Sequence, residues 1–128
     1  MAAVLKSTGF QDAVDYKVVS VTAVSTTGTQ TNITNSSGTL YSVIIDSANS
    51  SVNVSVHIID SKDTTNTQIS FKGKTSAIKT FQLTTGYAFD ELSFWVSANS
   101  GEDDTTSFAG NVDVTFVSEI QEPTRYAQ

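Results

Sequence analysis

The chain contains no cysteine, which excludes disulfides and thiolate metal sites and leaves burial and backbone pairing to hold the fold. Histidine occurs once, at His57, and one imidazole without a thiol falls short of the usual zinc ligand set. It also restricts any catalytic triad to His57, and no Gly-x-Ser-x-Gly elbow accompanies it. Basic residues are scarce. Seven Lys and Arg face 13 Asp and Glu for a net charge of −6, with Arg125 the one arginine and the lysines scattered. Nucleic-acid binding needs clustered Lys and Arg to replace counterions on phosphates, so it is not expected. No apolar stretch approaches the ~18 residues needed to cross a bilayer. Residues 1–9 carry neither a basic leader nor an apolar run of signal-peptide length, so folding inside a cell is expected.

What is present is hydroxyl-rich. The 128 residues include 18 Ser and 19 Thr against a single proline, Pro123. That length is room for one domain. Thr, Val and Ile crowd a helix but sit well on a pleated surface, so the composition indicates an all-β chain.

Alternation supports this. In Val52-Asn-Val-Ser-Val-His-Ile58 four apolar residues point one way, and Asn53, Ser55 and His57 point the other, toward water. Residues 112–118 repeat the pattern, and 69–71 and 78–83 give shorter versions. Residues 16–24, 39–46 and 87–96 are apolar on both faces, which marks central or interface strands. Turn signals separate the runs: Thr27-Gly28, Asn35 to Gly38, Ser47 to Ser50, Lys72-Gly73, Thr85-Gly86, Asn99 to Gly101 and Gly110-Asn111. Roughly eight short antiparallel strands follow. The expected fold is a single β-sandwich, jelly-roll-like, with an immunoglobulin-like sandwich as the rival. Residues 1–15 read as an N-terminal arm or loosely attached strand, 16–118 as the sandwich and 119–128 as a tail. Either end is long enough to reach a neighbour.

Few residues offer chemistry. Asp90 and Glu91, adjacent in the expected strand 87–96, point to opposite faces and make no glycosidase pair. Glu102-Asp103-Asp104 lies in a polar loop over residues 97–107; it offers hard oxygens for Ca²⁺ without the spacing of a calcium loop, and reads either as a cation site or as a solvated acidic loop. Phe94 and Trp95 are neighbours in one strand, so one of them faces outward, toward a subunit contact or a sugar. Four Asn-x-Ser/Thr sequons begin at Asn32, Asn35, Asn49 and Asn53; in a chain this rich in Ser and Thr, chance accounts for them.

The stretch Gly38-Thr-Leu-Tyr-Ser-Val-Ile-Ile-Asp46-Ser-Ala-Asn-Ser50, leading through Val52 to Asp60, resembles a segment of small virion proteins from tailed bacteriophages, including those of marine cyanobacteria. It reads as a hairpin: Leu40, Ser42 and Ile44 on one face, Tyr41, Val43 and Ile45 on the other, a turn at 46–50, and a second strand running back beside the first. Phage proteins of this size and composition are similar to capsid decoration, or cement, proteins, which are sandwich or jelly-roll units, often trimeric, on the outside of the shell. The resemblance implies a non-enzymatic role without cofactor or metal. It implies a homotrimer made in the host cytoplasm and carried on the capsid exterior, with the major capsid protein as partner. The expected contacts are Val4, Leu5 and Phe10 of the arm, Tyr126 of the tail, and Trp95. An alternative is a tail, fibre or knob component that touches host glycans through Tyr41, Trp95 or the acidic loop. A third is a hydrolase on the same scaffold, with His57 as its base.

Overall fold

The computed structural model describes residues 15–26 and 28–120. Its strands are β1 (Asp15–Val24), β2 (Gly38–Asp46), β3 (Ser55–Asp60), β4 (Ile69–Lys72), β5 (Ile78–Phe89), β6 (Leu92–Ser97) and β7 (Val112–Ile120), and the described residues hold no helix. They form two sheets, in the orders β1-β7-β2-β5 and β4-β3-β6, with every pair antiparallel. The protein is an all-β sandwich, as its alternation and composition indicate.

The core lies between the sheets. Leu40, Val43, Ile45, Val112, Val114 and Phe116 face inward from the first, and Val56, Ile58, Leu92, Phe94 and Val96 from the second. Phe94 and Phe116 meet across the gap with ring centroids 4.8 Å apart, and Phe71 and Phe81 join the β4 and β5 edges at 4.9 Å. Such tilted aromatic pairs add to what their buried area contributes. β7 alternates buried and half-buried residues along its whole length, the pattern expected for 112–118, and it continues through Glu119 and Ile120.

Seven strands stand among the described residues, against roughly eight expected. Outside them Gln30 exchanges backbone hydrogen bonds with Phe94 (2.7 and 3.0 Å) along the β6 edge. Counting that bridge in chain order, the pairs nest: β1 with β7, Gln30 with β6, β2 with β5, β3 with β4. An immunoglobulin-like order would pair the first strand with the second and the sixth with the seventh. Here β7 stands between β1 and β2, so that rival does not describe the molecule.

Five local expectations need correction. The stretch 38–60 is not a hairpin, because β2 and β3 belong to different sheets and the turn at 46–50 carries the chain across the sandwich. Its face assignment fails as well. An irregularity between Leu40 and Ser42 puts Leu40, Val43 and Ile45 together inside and leaves Tyr41 and Ile44 half-buried. Opposite it, the expected turn at Thr85-Gly86 is an irregularity within β5 and not a chain reversal: Leu40 pairs with Tyr87 and Ser42 with Gln82, and Gly86 takes φ +78° where a Cβ would strike the Thr39 side chain. The expected strand 87–96 is two strands that change sheet at Asp90 and Glu91. Finally, 39–46 is central as expected, whereas 16–24 is an edge whose apolar outer residues meet solvent.

Candidate functional site

The second sheet presents His57 and Trp95 on its outer face, where β3 and β6 pair them directly. Their rings stack at 4.8 Å and 13°. Alternation gives the correct face for His57, but not its exposure: the residue is fully buried beneath the 98–106 loop. Nε2 lies 3.1 Å from the Asn99 carbonyl oxygen and 2.7 Å from Ser97 Oγ, whose own hydroxyl proton goes to the same carbonyl. A carbonyl only accepts, so Nε2 carries the proton, and Nδ1 accepts from Ser70 Oγ at 2.8 Å. Burial lowers the His57 pKa, against the Asn99 hydrogen bond and the charges of Asp104 and Asp103, which raise it. The ring is neutral at pH 7.

Ser70 lines an open polar cavity of about 820 Å³ together with Gln68, Asp60 and Asp103. A serine hydroxyl on an imidazole is the first half of a nucleophile arrangement. Here the proton acceptor is sealed behind the indole, and its other nitrogen is engaged by a backbone carbonyl.

Trp95 is half-buried and donates its Nε1–H to the Asp104 carbonyl at 2.8 Å, while Phe94 is the inward neighbour. Its outward side borders a second cavity of about 430 Å³ with Thr26, Thr29 and Thr105. The acidic loop is held by its own polar groups. The Asp104 carboxylate accepts from the Asn99 and Thr106 amides at 3.2 Å each and from the Thr106 hydroxyl at 2.9 Å.

Asp60, at the end of β3, was not singled out by any motif. It is 4% exposed, and its carboxylate accepts backbone N–H groups from Lys62, Asp63 and Glu91 at 3.1 Å and from Asp90 at 2.8 Å. Burial raises its pKa, but the four amides together hold the carboxyl below the usual aspartate range. This clasp explains the break in 87–96. Asp90 and Glu91 are not paired strand residues on opposite faces but a turn whose two amides are taken by one carboxylate.

The first sheet carries the apolar surface. Tyr16 is 67% and Val18 63% exposed on β1, whose outer edge has no strand partner among the described residues. Tyr16 lies opposite Glu119 and Val18 opposite Val117 on β7, and Tyr41 and Ile44 on β2 extend the half-buried surface inward. The Tyr41 hydroxyl donates to Glu119 Oε1 at 3.3 Å. The two-sided apolar pattern of 16–24 was the signal for this face; it denotes an exposed edge strand, not a central one.

Of the residues expected to touch a partner, Val4, Leu5, Phe10 and Tyr126 lie outside the described residues, as do most of the expected arm and tail. No family model, curated protein or solved structure matches this chain.

Proposed function

We propose that the protein is a structural virion component, a capsid decoration protein that binds the outer surface of a phage shell as a homotrimer and bridges capsomers through the major capsid protein. One observation supports this best: the outer face of the first sheet, from the open β1 edge with Tyr16 and Val18 across Val117 to Ile44. The sandwich needs none of these side chains for its own core, and exposed apolar residues beside an edge with no strand partner among the described residues are what association uses. The acidic balance of −6 keeps free copies soluble and away from packaged nucleic acid. In this reading the nested pairing is a jelly roll whose second strand has contracted to the Gln30 bridge, and the His57 network is a buried polar support rather than a catalytic centre.

The test is shell binding by the Tyr16→Ala/Val18→Lys double variant. Both side chains are exposed, so melting should be unchanged while co-sedimentation with shells is lost. Full binding by the folded variant contradicts the assignment of this face.

The cavity beside Trp95 favours a second reading, a tail or fibre component that binds host glycans, since an indole lining a cavity with three threonines suits a sugar. Trp95→Ala would then abolish saccharide binding, an activity that the decoration reading does not expect of the wild type at all.

A further inference from the structure

Three carboxylates converge where the sandwich changes sheet. Asp60 ends β3 of the second sheet, Asp63 follows in the next loop, and Asp90 follows β5 of the first sheet. One carboxylate oxygen from each lies within 4.8 Å of the others. Oxygen ligands of Ca²⁺ stand at about 2.3–2.6 Å, so two on opposite sides of one ion are at most about 5 Å apart, and this triplet spans a single ion. Asp60 retains room for it. Oδ1 takes three N–H groups, whereas Oδ2 takes one close donor, the Asp90 amide at 2.8 Å, and a long one, Asn66 Nδ2 at 3.4 Å. Every one of those donors is a neutral amide, so they stabilise the carboxylate without neutralising its net charge.

Tyr87 supplies an independent observation. It is 7% exposed, its hydroxyl is buried with no hydrogen-bond partner, and it lines the same cavity of about 450 Å³ as the three aspartates. A buried hydroxyl without a partner costs free energy, and beside three anions it calls for something that accepts its lone pair. Mere repulsion among carboxylates would not place an orphan phenol there.

We propose that Asp60, Asp63 and Asp90, with the Tyr87 hydroxyl, form a Ca²⁺ site that ties the loop after β3 to the β5–β6 turn and so fastens the two sheets at one end. An all-oxygen set with two exposed, adjustable carboxylates suits Ca²⁺ better than Mg²⁺, which demands near-ideal octahedral geometry. The acidic loop at Glu102 to Asp104 is a different place, and the site does not depend on the decoration reading.

The test uses the full chain, with terbium as the luminescent probe for the calcium position and calcium as competitor. The wild type is expected to show saturable, tyrosine-sensitised terbium emission that calcium displaces, and a melting temperature higher in calcium than in EDTA. Asp63→Asn and Asp90→Asn, both at exposed positions, should weaken binding by about tenfold or more, at least what loss of an outer-shell partner costs. Asp104→Asn should leave terbium binding and the calcium-dependent melting shift unchanged, and Tyr87→Phe should lose most of the sensitised emission while keeping the calcium-dependent melting shift. Absence of saturable binding overturns the proposal, as does binding that survives Asp63→Asn and Asp90→Asn but fails in Asp104→Asn. Unchanged emission in Tyr87→Phe overturns the part given to the phenol.

Discussion

Replacing Asp60 with alanine removes the acceptor of four backbone N–H groups that join the loop after β3 to the β5–β6 turn. Hydrogen bonds to a charged group contribute about 1.5–3 kcal/mol each, a gross loss of roughly 6–12 kcal/mol. Two reductions apply. Three of the four bonds are 3.1 Å long and share Oδ1, toward the weak end of N–H···O geometry. Lys62 and Asp63 are exposed, so their freed amides regain water. The amides of Asp90 and Glu91 carry most of the remainder, and the expected net loss is about 3–4 kcal/mol, a large fraction of a typical domain stability of about 5–15 kcal/mol. Asp60→Asn keeps one acceptor oxygen but turns an NH₂ toward a donor, and should lose about half as much. The assay is urea unfolding followed by Trp95 fluorescence at pH 7, in EDTA so that no cation contributes. The pH dependence has a definite sign. The folded carboxyl is held below its ordinary range, so its stabilisation is present above that range and is lost as pH falls through the folded value. Asp60→Ala should therefore flatten the acid limb of the stability profile. A loss under about 1 kcal/mol with an unchanged acid limb would refute the reasoning.

Further outcomes follow from the same contacts. Because the folded His57 pKa is lowered, stability should decline as pH falls below the ordinary histidine value of about 6.5; an imidazole titration by NMR with its midpoint at or above that value contradicts the buried neutral ring. In EDTA, Tyr87→Phe removes a hydroxyl with no partner and should be neutral or stabilising by up to about 1 kcal/mol in urea unfolding; a clear loss would mean the hydroxyl is bonded. Gly38→Ala drives a Cβ into the Glu119 backbone carbonyl between β2 and β7, and should cost about 2–3 kcal/mol in the same assay, whereas Gly101→Ala, with open space around it, should cost less than about 1.

The sandwich was legible because alternation is a local property. Val112, Val114 and Phe116 show their buried face without reference to any partner. Pairing is not local. The resemblance over 38–60 reads as a hairpin, yet β2 takes β5 and β7 as neighbours, and nothing within 38–60 encodes those distant strands. The same limit hides Asp60, whose role exists only because residues 90 and 91 return to it. For His57 the parity was right and the environment was not, since the cover comes from a loop some 40 residues on. The exposed apolar face of the first sheet was half legible. Apolar residues on both sides of 16–24 signalled a central or interface strand, but a single sequence does not say whether the second apolar face meets another strand or solvent.

A decoration protein, as proposed for this sandwich, is an abundant shell component. Quantitative mass spectrometry of purified particles that carry the chain measures its copy number relative to the major capsid protein. The account predicts a near-stoichiometric ratio. A handful of copies per particle would contradict it and move the protein to the tail or a vertex, and absence from particles would remove the virion assignment.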